Sequence, residues 1–329
     1  MTHLTLPRDH GGNLDAAQAR FGGALGDWID LSTGINPCPY PIPEIPADAW
    51  AALPRRREMD RLIEAARAAY GTQLAIAPLA GAQGAIQIVP YLRAAGQARV
   101  LAPTYNEHAG ALRGAGWQVT ECPTLDALAG ADLAVVVNPN NPDGKHYPPK
   151  ALQALAKTVG LLVVDESFAD PTPDLSLCGT LDLPSNILIL RSFGKFYGLA
   201  GLRLGFAIGA PELVMDITRM AGPWPVAGPA ISIAEQALAD RFWHGQTCLR
   251  LRAASARLDQ LAQSAGWQLV GGTSLFRTYA CPDAQATQDR LARAHLWTRI
   301  FPYSKQWIRL GLPGTEAQWE RLTRALARE

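Results

Sequence analysis

Lys195 stands at the end of an apolar run, in the segment Ile189-Leu190-Arg191-Ser192-Phe193-Gly194-Lys195-Phe196. A strand that ends in a small polar turn delivers its amine to a tip, and a nearby cation such as Arg203 favours the neutral, nucleophilic form. Such an amine is suited to forming a Schiff base with a carbonyl cofactor. Upstream, Val163-Val164-Asp165-Glu166-Ser167-Phe168 brings a carboxylate out of a buried strand. A buried carboxylate needs a cationic partner, and a protonated ring nitrogen would serve. Tyr105, in Pro103-Thr104-Tyr105-Asn106-Glu107-His108, offers an aromatic face for stacking on a heteroaromatic ring. The rigid turn Asn138-Pro139-Asn140-Asn141-Pro142-Asp143-Gly144 can aim an amide at a phenolate oxygen. Two features suit a phosphate. Leu79-Ala80-Gly81-Ala82-Gln83-Gly84-Ala85-Ile86 places small residues where a helix starts, exposing backbone N–H groups at its positive end. Arg203, in Gly201-Leu202-Arg203-Leu204-Gly205, carries a guanidinium that fits phosphate with two hydrogen bonds.

These polar groups need a scaffold that presents them together, and the intervening sequence describes one. Apolar β-rich runs at 98–102, 133–137, 161–164, 187–190 and 204–208 alternate with helical patterns at 59–70, 109–115 and 149–157. The runs do not alternate apolar with polar, so both sheet faces must be covered. The expectation is an α/β fold with a mostly parallel central sheet and helices on both faces. In such folds ligands bind beyond the carboxyl ends of the strands, where the polar groups lie. Proline-rich stretches at 36–46 and 221–229 read as connectors, and a long helical pattern spans 231–262. Residues 36–225 are expected to form a large α/β domain, with 1–35 and 226–329 together forming a smaller α+β domain.

Composition bounds the partners. The chain has 329 residues, 48% hydrophobic, and a formal net charge of +1, so nothing advertises a nucleic-acid groove or an acidic membrane surface. Five scattered cysteines suggest neither a zinc site nor a disulfide framework and suit a reducing cytoplasm. The opening Met1 to His10 is polar, and no run reaches the ~18 apolar residues of a membrane span. A dinucleotide-binding reading of the Gly81 to Gly84 turn lacks the G-x-G-x-x-G pattern.

A Schiff-base lysine, a ring acid, a stacking aromatic, an amide for O3' and a phosphate cup are together what pyridoxal 5'-phosphate requires. Their order along the chain resembles the fold type I enzymes that use this cofactor, the aspartate-aminotransferase superfamily. The most specific piece is Arg191-Ser192-Phe193-Gly194-Lys195-Phe196-Tyr197-Gly198-Leu199-Ala200-Gly201-Leu202-Arg203-Leu204-Gly205. The resemblance implies that Lys195 joins the cofactor, Asp165 bonds its ring nitrogen, Asn141 meets O3' and Tyr105 stacks on the ring. It also implies that Ala82 and Gln83 backbone amides, with Ser192 and Arg203, hold the cofactor phosphate. Arg309, in Trp307-Ile308-Arg309-Leu310-Gly311, corresponds to the family's substrate-carboxylate arginine.

Within the superfamily the chain is similar to both histidinol-phosphate aminotransferases and the L-threonine O-3-phosphate decarboxylases of cobalamin biosynthesis. His10-Gly11-Gly12-Asn13, Leu31-Ser32-Thr33-Gly34-Ile35-Asn36-Pro37, Phe168 and Pro223-Trp224-Pro225-Val226 resemble the decarboxylases. By that likeness His10 faces the substrate phosphate, Asn36 lies near the substrate, and Arg299 joins Arg309 as a second anion partner. The implied activity is decarboxylation of a small phosphorylated amino acid, L-threonine O-3-phosphate, to (R)-1-amino-2-propanol O-2-phosphate by a homodimer. The alternatives are a histidinol-phosphate type of aminotransferase and a non-catalytic binding or regulatory module. The chain departs from the pattern at Leu53-Pro54-Arg55-Arg56-Arg57, where a Tyr-Pro pair often reaches the partner subunit's cofactor phosphate. Asp143 stands at a position commonly threonine.

Overall fold

The computed structural model describes residues 10–327, and the polar opening 1–9 lies outside them. The chain divides into two units, a larger one of residues 38–252 and a smaller one of residues 1–37 with 253–329. Strand β1 (Ile29–Asp30) belongs to the smaller unit. The larger unit holds β2 (Ala75–Leu79), β3 (Gln97–Leu101), β4 (Gln118–Cys122), β5 (Leu133–Val137), β6 (Leu161–Asp165), β7 (Ile187–Ser192) and β8 (Gly205–Gly209). The smaller unit adds β9 (Gln268–Thr273), β10 (Phe276–Ala280), β11 (Leu296–Trp297), β12 (Arg299–Phe301) and β13 (Ser304–Gly311). The helices begin with α1 (Leu14–Phe21), α2 (Ala47–Ala51), α3 (Arg56–Tyr70), α4 (Gly81–Ile88), α5 (Glu107–Gly114) and α6 (Pro149–Ala156). They continue with α7 (Phe193–Phe196), α8 (Pro211–Ala221), α9 (Gly228–Ala239), α10 (Arg241–Ser264), α11 (Ala284–Arg293) and α12 (Glu316–Leu326).

The larger unit is built on one seven-stranded sheet in the order β2-β8-β7-β6-β5-β3-β4. Neighbours from β7 to β4 pair in parallel. β8 runs antiparallel to both β7 and β2, so β2 points the same way as the majority. The run at 204–208 is thus a strand whose direction departs from the parallel pattern, because residues 193–204 reverse the chain instead of crossing over the sheet. Alternate residues along the strands, such as Val100, Leu133, Val135, Leu161, Val163, Leu188 and Leu190, form one buried cluster with Ile86 of α4, Leu112 of α5 and Ile217 of α8. The intervening Ala134, Val136, Leu162, Val164, Ile187 and Ile189 are buried as well, so both faces are covered as the unbroken apolar runs require.

The helical pattern at 231–262 is two helices, not one. Asp240 interrupts it with ψ near 81° after α9, and its carboxylate accepts a hydrogen bond of 2.8 Å from the Trp243 N–H, capping α10. The smaller unit carries the antiparallel sheet β12-β13-β10-β9 and a parallel bridge of β1 with β11. No helix among the described residues is long and apolar enough to cross a membrane.

Candidate active site

The strand directions bring the start of α4, the segment after β3, the turn after β5, the ends of β6 and β7 and the start of β8 to one edge of the larger sheet. Asp165 closes β6 on the same face as Leu161 and Val163, in register with Val137 and Leu190. It is buried. Its Oδ2 lies 2.8 Å from His108 Nε2, and its Oδ1 accepts from the Ser167 N–H at 2.9 Å and the Ser167 hydroxyl at 2.5 Å. Burial alone would raise this carboxyl, but the His108 contact and the Ser167 bonds outweigh it and hold it below its ordinary value. The acid is therefore ionised at neutral pH.

Tyr105 lies between two parts of this edge. Its ring is 6.2 Å from that of His108, edge to face, and its hydroxyl donates to Gln83 Oε1 at 3.4 Å. Gln83 in turn donates to the buried Glu107 at 3.0 Å. Of the three asparagines after β5, two build the turn. Asn138 bonds the Tyr147 backbone, while Asn140 donates to the Pro103 carbonyl at 2.9 Å and to Asp143 Oδ1 at 2.7 Å. Asn141 is half-buried at the tip. Asp143 also accepts from the Lys145 N–H at 3.0 Å, so this aspartate shapes the turn.

The phosphate-type features converge through close backbone approach. A Cβ on Gly205 would fall 2.3 Å from the Ala82 nitrogen, and one on Gly81, where φ is +75°, would fall 2.8 Å from Arg203 Nη2. Only glycine fits at either position. Among the described residues no side chain caps α4, so the amides of its first turn face outward unclaimed by a capping group. Ser192 pairs across the sheet with Gly205, and Arg203 is held in the left-handed region with Nη1 bonded to the Ala200 carbonyl at 3.0 Å. Lys195 sits on the single helical turn α7 rather than on the strand tip, its Nζ 5.9 Å from the centre of the Phe168 ring.

His108 and Glu107 were not singled out from the sequence. Tyr105 lies before α5 and His108 in its first turn, so no helical spacing links the two in the sequence. Replacing His108 with leucine is expected to lower turnover about tenfold or more, the worth of one hydrogen bond to a charged group at ~1.5–3 kcal/mol. Steady-state kinetics alongside titration of the carboxyl checks this, with the acid's pKa expected to rise.

The remaining expected site residues lie in the smaller unit. Arg299 and Arg309 face each other across the β12–β13 ladder. Arg309 is buried, donates through Nη2 to the Ser32 carbonyl at 2.5 Å, and lies over the Phe276 ring at 5.1 Å. Burial first and the Arg299 charge second push it down to about 10, a cost that a bound anion would relieve. The segment holding His10 runs beside the same strand end, where the Gly12 N–H donates to the Ser32 hydroxyl at 2.6 Å. His10 itself is exposed, and Asn36 is buried. In the larger unit, the arginines that follow Leu53-Pro54 are exposed, Arg55 pairing with Asp48 at 3.3 Å and Arg56 with Asp60 at 4.0 Å.

Known proteins resemble this chain along nearly its whole length. The chain is 45% identical to a threonine-phosphate decarboxylase of Pseudomonas aeruginosa over 97% of both chains, and 41% identical to one of a Sinorhizobium species over 99% of both. The fold matches the crystal structure of histidinol-phosphate aminotransferase from Sinorhizobium meliloti in complex with pyridoxal-5'-phosphate, with a TM-score of 0.77 over 86% of this chain and 84% of that one, at 22% identity. The model of the family "Aminotransferase class I and II" matches residues 53–326, and the chain belongs to that family.

Proposed function

We propose that the chain is a pyridoxal 5'-phosphate-dependent carboxy-lyase that converts L-threonine O-3-phosphate to (R)-1-amino-2-propanol O-2-phosphate in cobalamin biosynthesis. What carries this reading is the high identity to two threonine-phosphate decarboxylases, sustained over nearly the whole chain. The residues present fit the cofactor. A carboxylate offers about four lone-pair sites, and the bonds to Asp165 use two on Oδ1 and one on Oδ2, leaving one for a ring N–H. The uncapped start of α4, with Arg203 against Gly81, offers a phosphate its backbone and guanidinium donors.

When bound, the cofactor supplies an electron sink for whichever bond at the substrate Cα stands perpendicular to its ring. Lys195 would hold the cofactor through its amine and would be the proton donor to Cα. Asp165 keeps the ring nitrogen protonated, and His108 and Ser167 fix the carboxylate for that task. Tyr105 would stack on the ring, Asn141 would meet O3', and Ala82, Gln83, Ser192 and Arg203 would hold the phosphate. Arg299 and Arg309 take the two anions of the substrate, His10 faces its phosphate and Asn36 lies near it. Holding both anions at once sets which Cα bond is presented for cleavage, so binding energy selects the reaction.

Incubation with L-threonine O-3-phosphate is expected to release carbon dioxide and an aminopropanol phosphate. Formation of glutamate from histidinol phosphate and 2-oxoglutarate would instead establish an aminotransferase. The assembly we propose is a homodimer. Ile42, Trp50, Leu53 and Trp224 remain exposed in the larger unit, apolar area that a second copy would cover. Light scattering on the eluting protein measures this directly. The five free thiols suit the cytoplasm.

A further inference from the structure

Consecutive strand residues face opposite sides of a sheet, so Glu166 and Arg191 point away from the face that carries Asp165 and Ser192. Arg191 is 3% exposed; it donates through Nη1 to Glu166 Oε2 at 3.0 Å and through Nη2 to Asp170 Oδ1 at 2.8 Å. Its guanidinium lies 4.4 Å from the centre of the Tyr70 ring. Tyr70 and Arg191 line a cavity of about 240 Å³ together with Asp170, Asp174, Arg241 and His244. Two buried donors on its wall, Arg191 Nε and Tyr70 Oη, have no hydrogen-bond partner among the described residues. Such groups are costly to leave unpaired and ask for an acceptor oxygen.

The charges narrow the choice. Arg241 gives its guanidinium to the Ala68 and Ala69 carbonyls that end α3. Burial pushes the His244 pKa down, so the imidazole is neutral at ordinary pH. Glu166 does not line the cavity but meets the charge of Arg191 from behind it, so among the lining groups Arg241 is left against two acids, Asp170 and Asp174, and the bond to Asp170 uses only Oδ1. A free anion meets this surplus of acids, and a neutral polyol leaves the surplus uncompensated. One small molecule that joins a protonated amine to an oxygen acceptor satisfies both demands.

We propose that this cavity, on the reverse of the strands that carry Asp165 and Ser192, binds a small amino alcohol. The ammonium lies between Asp170 and Asp174, and the oxygen accepts from Tyr70 Oη and Arg191 Nε. The assignment stands independently of the reaction on the other face of the sheet.

Calorimetric titration of the full-length, cofactor-loaded protein with N,N-dimethylaminoethanol tests it, because a tertiary amine cannot condense with an aldehyde and so cannot be captured through Lys195. Saturable binding is expected, weakened about five- to tenfold by Tyr70→Phe, which removes one hydrogen bond and keeps the ring. A similar loss is expected from Asp174→Asn at the exposed mouth of the cavity. Glycerol and acetate should not bind. Absence of saturable heat, an affinity unchanged by either substitution, or comparable uptake of glycerol or acetate would overturn the proposal and leave the cavity to water.

Discussion

The Lys195→Ala protein is expected to be colourless after dialysis against cofactor-free buffer, and its turnover to fall by about four orders of magnitude or more. On the roles proposed for Lys195, the substitution removes two functions at once: the amine that holds the cofactor, and the proton donor for Cα. General acid–base help alone contributes about 10²- to 10⁴-fold, and loss of the covalent attachment adds to it. Absorbance near the visible edge and a single-turnover assay measure the two separately. A variant that stays yellow and keeps a borohydride-sensitive band would place the attachment on another lysine. Because Lys195 lies on the one-turn helix α7, whose backbone is fixed by the Phe193 N–H donating to the Leu204 carbonyl at 3.1 Å, truncation of its side chain should leave the fold intact.

Asp165→Asn should give the opposite combination, a coloured protein with turnover reduced about a thousandfold, equivalent to about 4 kcal/mol. The amide preserves shape and keeps Lys195 in place, so the cofactor still attaches. On the role proposed for Asp165, what is lost is the negative charge that keeps the ring nitrogen protonated, and His108 and Ser167 then surround a neutral group. The same residue leaves a mark on stability. Its folded pKa lies below the unfolded value, so its contribution is fully present above about pH 3.9 and disappears as the pH falls through the folded value. Denaturation profiles in acid should therefore lose part of their slope in Asp165→Asn. Matching acid profiles in the two proteins would contradict the ionised, buried carboxylate.

The parts of the fold legible in the sequence were those whose burial is one-sided in cause. Leu133–Val137 is an unbroken apolar run and Leu161–Asp165 is one up to its closing acid, and both are central strands. β2 escaped notice because Ala75-Ile76-Ala77-Pro78-Leu79 is poor in strand formers and contains a proline, which is tolerated since β2 lies at the sheet edge. β4 escaped because it is the other edge, half exposed and polar. The polar groups Asp165, Ser192, Lys195 and Arg203 could be read because each interrupts an apolar run or a tight turn. His108 and Glu107 could not, since a polar pair at a helix start looks like any solvated turn until the sheet order places it beside β6. The cavity behind Arg191 depends on α3, β7 and α10 meeting, and no local pattern announces such a meeting.

The antiparallel return from β7 to β8 has a consequence for how the protein loses activity. Ser192, Lys195 and Arg203 belong to one short excursion of the backbone, whereas His108 reaches Asp165 only through long-range pairing of β3, β5 and β6. Closing a short loop costs little chain entropy, so the amine and guanidinium stay neighbours in a partly loosened chain that has already let its acid drift from the imidazole. On gradual denaturation pigment therefore outlives competence, and tint alone is a poor assay of an intact preparation.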